Sequence, residues 1–295
     1  MPNISDQAAP AACIIGYPVG HSRSPLIHNF WLREYDLPGR YAFAETAPED
    51  LQAFVGALRD NGFTGGNVTI PHKEAAFRLA GRLTATAAAL NAVNTLWFDG
   101  DVLWGDNTDV EGFLANLDAG APGWDGETRV ATVLGAGGAA RAIVYGLLRR
   151  GVSRVVIVNR TVERAQAIAD HFAPEFGHER VAAAGWADLS AHLPTSGLVV
   201  NTTSLGMHGQ PPLSIDLGAL PATAVVTDAV YVPLVTPILH AAAARGLRTV
   251  GGLGMLLHQA VPGFERWFGR RPVVTDALRT YIEADILKQH PEAAG

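Results

Sequence analysis

The sequence predicts an α/β protein built from two domains, each with a mostly parallel sheet, and three observations lead there. Short apolar, β-rich runs alternate with helical stretches along most of the chain, the pattern left by parallel strands joined through helices. A strand, a glycine turn and a helix follow one another in VATVLGAGGAARAIVYGLLRRG, at residues 130–151. The length of 295 residues suits two domains at roughly 100–200 residues each.

Taken in order, residues 13–16, 41–44, 66–69, 130–134, 155–159, 198–201 and 224–228 read as buried strands. The segment 117–128, LDAGAPGWDGET, has no apolar period and is rich in Gly, Pro and Asp, so a boundary is expected there. The alanine-rich stretches 75–92 and 241–244 read as ordinary helices. Beyond Gly251 the strands stop, and 255–268 and 275–288 read as amphipathic helices around a turn at GRRP. These need a surface to cover, which points back to the first domain. The expected division is 1–120 plus 252–295 for substrate binding and catalysis, and 121–251 for a Rossmann-like dinucleotide domain.

Apolar residues make up 48% of the chain and charged residues 17%, enough for buried cores and too little charge for a disordered chain. With 22 basic against 28 acidic residues the net charge is −6, which disfavours nucleic acid or an anionic membrane as partner. Cys13 has no second thiol, which excludes a disulfide framework and a multi-cysteine metal site, and it reads as a packed strand residue. No apolar run reaches membrane-spanning length, and no basic residue precedes Arg23 to form the n-region of a signal peptide. A cytoplasmic location is expected. Of the 22 basic residues only Lys73 and Lys288 are lysines, so a lysine here is a rare choice.

In the glycine turn, Gly135, Gly137 and Ala139 or Ala140 fit G-x-G-x-x-A. The first glycine makes the turn, the second admits a pyrophosphate to the backbone, and the third, small residue lets helix and strand pack. The helix N-terminus offers unpaired N–H groups to the phosphates; the competing reading is a tight turn that needs small residues. The next strand ends in Asn159, Arg160 and Thr161, with Arg164 spaced to share a helix face with Arg160. An NAD site usually has a carboxylate near this point, whereas two guanidinium groups suit a 2′-phosphate, so NADP is favoured over two merely solvated arginines. Thr161 also suits the N-cap of the following helix.

The first 120 residues hold polar groups in unusual places. GYPVGHSRSPLIHN puts Ser22 and Ser24 between a strand and a proline-started helix, where they either donate to an anion or cap the helix. GGNVTIPHKEA ends a strand with Asn67 and Thr69 and brings Lys73 to the start of a helix, where its charge opposes the helix dipole. In a chain that otherwise uses Arg, a lysine makes sense where a proton must be released; the plainer alternative is a solvated helix lysine. NAVNTLWF supplies Asn94 and Thr95, and WGDNTDVEGF supplies Asp106, Asn107, Thr108 and Asp109. Asp109 either caps a helix or orients Lys73 and shares a proton with it. Asn67, Asn94 and Gln259 then offer neutral hydrogen bonds to a polyhydroxylated substrate.

At these residues the chain resembles the shikimate dehydrogenase family. The matching motifs are GYPVGHSRSPLIHN (16–29), GGNVTIPHK (65–73), NAVNTL (91–96), GDNTDVEGF (105–113), GAGGAAR (135–141), NRTVERA (159–165), NTTSLGM (201–207), DAVYVPLVTPIL (228–239) and GLGMLLHQA (252–260). They run in order over nearly the whole chain. The resemblance implies an NADP-dependent oxidoreductase that interconverts 3-dehydroshikimate and shikimate on the route to chorismate and the aromatic amino acids.

It also implies residue roles. Ser22 and Ser24 would meet the substrate carboxylate, and Asn67, Thr69, Asn94, Asp109 and Gln259 the ring hydroxyls. Lys73 with Asp109 would form the acid/base pair, and Tyr231 would lie near the substrate. Gly135, Ala136, Gly137, Gly138 and Ala139 would take the pyrophosphate, and Asn159, Arg160, Thr161 and Arg164 the 2′-phosphate end. Thr202, Val230, Gly252 and Met255 would lie along the nicotinamide. Gly251 departs from the family, many members having a polar residue there. The expected partner is a small molecule, with no nucleic acid and no membrane, in a monomer or homodimer. Competing readings are a quinate-using relative, which Arg160 disfavours if it is NAD-linked, and a non-catalytic NADP sensor, which an intact Lys73 and Asp109 disfavours. A metal enzyme is disfavoured because the histidines show no H-x-x-x-H pair.

Overall fold

The computed structural model describes residues 9–291 and groups them into two units. One holds the residues through Thr108 together with Gln259–Leu278; the other holds Asp109–His258 and the residues from Arg279 onward.

The first unit contains strands β1 (Ala11–Gly16), β2 (Arg40–Glu45), β3 (Gly65–Val68), β4 (Arg82–Leu83), β5 (Thr95–Asp99) and β6 (Val102–Asp106), in the order β2-β1-β3-β5-β6-β4. β1 runs parallel to β2 and β3, and β4 parallel to β6, while β5 runs antiparallel to both its neighbours. Alternation alone predicts the parallel part. The β5–β6 hairpin turns at Gly100, whose φ of +56° needs a residue without Cβ strain. One face of the sheet buries Cys13, Ile15, Leu51, Val55 and Leu96, and burial pushes the Cys13 thiol up to about 12, so it packs and does not react.

The second unit contains β7 (Val130–Leu134), β8 (Arg154–Asn159), β9 (Val181–Gly185), β10 (Leu198–Asn201), β11 (Val225–Asp228) and β12 (Arg248–Val250), in the order β12-β11-β10-β7-β8-β9. All pairings are parallel, and the buried valines of the inner strands follow from cover on both faces. The strand order reverses between β10 and β7, the switch point at which open α/β sheets bind ligands. β9, VAAAG, carries almost no β-forming side chains and completes the sheet as an edge.

Packing draws the boundary differently from the Gly/Pro-rich segment. Helix Asp109–Gly120 groups with the second unit because Gly146 of helix Gly138–Arg150 lets it in: a Cβ there would stand 3.1 Å from Val110 and 3.6 Å from Leu114. The return of the C-terminal region to the first unit is made by Gln259–Leu278. The Trp267 indole donates to Leu96 O at 2.8 Å and the Val273 carbonyl accepts from Trp31 at 3.1 Å. The residues from Arg279 group with the second unit instead, where His290 meets the His208 ring at 4.7 Å. Among the described residues no helix is long and apolar enough to cross a membrane.

Candidate active site

Seven of the expected substrate residues, Ser22, Ser24, Asn67, Thr69, Lys73, Asn94 and Gln259, belong to the first unit. All but Gln259 come from segments at one edge of its sheet, where β1, β3 and β6 end and β5 begins. Ser24 is the first residue of helix Ser24–Glu34 and not its cap. The Ser22 oxygen accepts from the Ser24 amide at 3.3 Å, and the two hydroxyls meet at 3.2 Å. Capping therefore does not account for the Ser24 side chain. Asn67, almost fully buried, donates through Nδ2 to Asn94 O at 3.2 Å and to the Thr95 hydroxyl at 3.1 Å. Asn94 Oδ1 accepts from Thr95 Oγ1 at 2.9 Å and from the Thr108 amide at 2.8 Å, and the Thr108 hydroxyl donates to Gln259 O at 2.8 Å.

Lys73 opens helix Lys73–Leu79, as expected, and no side chain caps that helix. Its carbonyl accepts from Val93 N at 2.9 Å, which ties the helix start to the residue before Asn94. Neighbouring His72 is buried and spends Nε2 on Thr46 O at 2.7 Å. Thr69 is pinned by its amide to Ile15 O at 2.9 Å. Asp109 and Tyr231 belong to the second unit, both half-buried, with Asp109 the first residue of helix Asp109–Gly120.

In the second unit the expected cofactor residues lie at or follow the C-terminal ends of β7, β8, β10, β11 and β12. Gly135 has φ +106°, and a Cβ on it would lie 2.6 Å from the Thr202 hydroxyl, so only glycine makes this turn. Thr202 in turn donates through Oγ1 to Leu134 O at 2.7 Å. Gly137 and Gly138, by contrast, are exposed, have φ outside the strained region, and would meet nothing within 4 Å if given a Cβ. Their smallness serves no packing within the protein; it keeps open the space over the uncapped N-terminus of helix Gly138–Arg150. That fits a pyrophosphate received by backbone N–H groups, flanked by half-buried Ala136 and Ala139. Arg160 and Arg164 are both exposed past the end of β8. Thr161 holds the N-cap position of helix Val162–Phe176 without a side-chain capping bond, and its carbonyl accepts from Asn159 Nδ2 at 2.8 Å.

Gly252 allows a close approach of two backbone segments: a Cβ on it would lie 2.6 Å from the carbonyls of both Ala229 and Val230. Val230 and Met255 are thereby brought to one place, with the Met255 amide on Gly252 O at 3.0 Å. At Gly251 the carbonyl accepts from Asn116 Nδ2 at 2.9 Å.

Sequence reasoning missed the residues that join these loops. Asn201 and Asp228 sit opposite each other in the β10–β11 register. Asp228 Oδ1 accepts from Asn201 Nδ2 and Val230 N, both at 2.9 Å, and Oδ2 accepts from Thr236 at 2.6 Å. Asn201 Oδ1 then accepts from the Thr203 amide at 3.0 Å. The only sequence signal was two polar residues ending two apolar strands. Burial raises the Asp228 carboxyl to about 6, against the donation of its three partners. The folded state thus holds this proton more tightly than the unfolded chain, and the stability that goes with it is complete below about pH 4 and lost as pH rises through 6. Asp228→Asn keeps an acceptor for Asn201 and Val230 and turns a donor toward Thr236. We expect it to be more stable than wild type by about 1–3 kcal/mol at pH 8 and level with it near pH 4, measured by urea unfolding.

The family profile described as "Shikimate dehydrogenase substrate binding domain" matches residues 14–96, "Shikimate / quinate 5-dehydrogenase" matches 123–207, and "Shikimate 5'-dehydrogenase C-terminal domain" matches 252–276. The protein named "Shikimate dehydrogenase (NADP(+))" from Rhodopseudomonas palustris strain TIE-1 is 58% identical over 276 residues, covering 94% of this chain and 97% of the relative. Among solved structures, quinate dehydrogenase from Corynebacterium glutamicum in complex with NAD superposes with TM-score 0.87 at 30% identity, covering 94% of this chain and 99% of the other. Shikimate 5-dehydrogenase from Thermus thermophilus with NADP(H) and shikimate superposes with TM-score 0.79 at 32% identity, covering 95% and 99%.

Proposed function

From the premise that this chain belongs to the shikimate dehydrogenase family, we propose that it is an NADP-dependent oxidoreductase interconverting 3-dehydroshikimate and shikimate, which places it on the way to chorismate and the aromatic amino acids. The observation that carries this is the 58% identity to an NADP-dependent shikimate dehydrogenase across 94% of the chain, reinforced by Arg160 and Arg164 where a carboxylate would select NAD.

The proposed division of labour gives 1–120 plus 252–295 to the substrate and the chemistry, and 121–251 to the dinucleotide. Asp109 then works with the substrate residues although its helix packs in the second unit. Ser22 and Ser24 hold the substrate carboxylate through hydroxyl donors. Asn67, Thr69, Asn94, Gln259 and Tyr231 hold or border the hydroxylated ring. When bound, NADPH supplies the hydride that reduces the substrate carbonyl carbon. Lys73 gives its Nζ proton to the carbonyl oxygen as charge develops there, and Asp109 orients the amine and helps restore its proton. On the other side, Gly135 to Ala139 receive the pyrophosphate, Asn159, Arg160, Thr161 and Arg164 the 2′-phosphate end, and Thr202, Val230, Gly252 and Met255 border the nicotinamide. We place the protein in the cytoplasm, as a monomer or homodimer acting on a small molecule and not on nucleic acid or a membrane; the net charge of −6 supports only the last part, disfavouring polyanionic partners.

The test is NADPH absorbance with 3-dehydroshikimate added, run beside NADH and quinate arms. Consumption of NADPH with 3-dehydroshikimate is expected, and a flat trace would overturn the assignment. Faster turnover with NAD and quinate would favour the quinate reading that the Corynebacterium structure suggests. The 2′-phosphate assignment has its own readout: replacing Arg160 and Arg164 together by Ala should weaken NADP about 10- to 100-fold, the worth of one or two charge-assisted hydrogen bonds, and leave NAD unchanged in fluorescence titration. Equal losses for both cofactors would remove the arginines from that role.

A further inference from the structure

Two residues of the motif at 16–29, His28 and Asn29, have no part in the reading above, and the structure spends both on a third. His28 is fully buried, neither ring nitrogen closes a hydrogen bond among the described residues, and its imidazole stacks on the Tyr41 ring at 4.1 Å and 13°. Asn29 holds the Tyr41 backbone from both sides: Nδ2 donates to Tyr41 O at 2.9 Å, and Oδ1 accepts from Tyr41 N at 3.0 Å. Trp267 closes the far side of the phenol ring, with centroids 5.7 Å apart. A phenol so tightly fixed has only its hydroxyl to offer, and that hydroxyl donates to Asn67 Oδ1 at 2.7 Å. The Ser24 hydroxyl lies against the Tyr41 hydroxyl.

The valence of the Asn67 amide then decides what it presents. An amide has two N–H donors and two acceptor lone pairs. Both donors are used inside the protein, on Asn94 O and the Thr95 hydroxyl, and one lone pair takes the Tyr41 proton. A flipped amide would face the Asn94 carbonyl with its own oxygen and lose the Tyr41 donor. One lone pair on Oδ1 is what remains, since the His28 ring beside the Asn67 side chain closes no hydrogen bond with it.

We infer that Tyr41 is a positioning residue for substrate recognition: held by His28 and Asn29, it fixes the Asn67 amide so that Asn67 meets the substrate only as a hydrogen-bond acceptor. The inference rests on the reading that Asn67 touches the substrate, and it deepens that reading. A ring hydroxyl facing Asn67 must donate, so a substituent that only accepts is rejected as firmly as no substituent at all.

The test uses the full-length enzyme and its NADP-linked oxidation of shikimate. Tyr41→Phe keeps the stacked ring and removes only the hydroxyl. It should raise KM for shikimate about 5- to 20-fold, the worth of one buried hydrogen bond left half-made, with kcat changed less than about threefold and NADP affinity unchanged. A role in folding alone would lower the melting temperature and leave KM in place. Asn67→Ala separates the two levels. If Asn67→Ala raises KM and Tyr41→Phe does not, the positioning role is wrong and the Asn67 contact stands; if neither raises KM, the contact itself is wrong. Should Tyr41→Phe not fold, the wild-type enzyme still decides. Of the monofluoro analogues that replace one non-reacting ring hydroxyl, at least one should bind as weakly as its deoxy counterpart. If every fluoro analogue binds as well as shikimate, acceptor-only recognition is overturned.

Discussion

Lys73→Ala is expected to lower turnover at least about a hundredfold while leaving NADP affinity within about a factor of two. A positioned proton donor is worth about 10²- to 10⁴-fold, and the dinucleotide residues belong to the other unit. Lys73→Arg is expected to fail nearly as badly, because a guanidinium keeps its proton at any working pH. The measurement is kcat with both substrates saturating, beside a fluorescence titration of NADP. Wild-type turnover in Lys73→Ala would remove the lysine from the chemistry, and a parallel collapse of NADP affinity would mean the substitution had damaged the fold. The structural basis is the helix start itself. Lys73 stands in the first turn, where its charge gains nothing from the helix dipole, and its carbonyl is tied to Val93 beside Asn94.

His28 carries the second large effect, on stability. Burial lowers its pKa to about 3, so the folded protein keeps the imidazole neutral while the unfolded chain protonates it near 6.5. Its contribution is therefore complete above pH 6.5 and is lost as pH falls toward 3, at about 1.4 kcal/mol per pH unit. Asp228 works in the opposite direction between about 6 and 4, so in the wild-type enzyme the two slopes offset each other across that window. A substitution uncovers them. His28→Phe keeps a flat ring between Tyr41 and Phe264 and has no proton to take up. Relative to its own difference at pH 7, it should gain about 3 kcal/mol on wild type by pH 4 in urea unfolding. A difference that stays constant over that range would show that the unfolding protein does not have to charge this imidazole.

Where local chemistry decided the structure, the sequence was readable. Gly135 and Gly137 announce the turn after β7 because one needs a positive φ and the other needs open space. Ser22, Ser24, Asn67 and Lys73 could be picked out because polar groups end apolar strands or oppose a dipole. Long-range pairing was not readable. Tyr41 looks like a β-strand residue until β1, β2 and β3 come into register and bring Asn67, 26 residues on, to its hydroxyl. Asp228 gains its meaning only from Asn201 across the β10–β11 pair. β9 was hidden by its alanines. The break at Thr108 was hidden because Gly146, which receives Val110 and Leu114, lies more than thirty residues downstream.

The first unit depends on Gln259–Leu278, and this orders events during synthesis. Trp267 supplies the indole over Leu96 and packs where a side chain on Gly65 would otherwise point, yet it is translated some 200 residues after β3. The strands of the first unit therefore wait for a segment made long after them, and the second unit, but for the residues from Arg279, has emerged before the first can close its core.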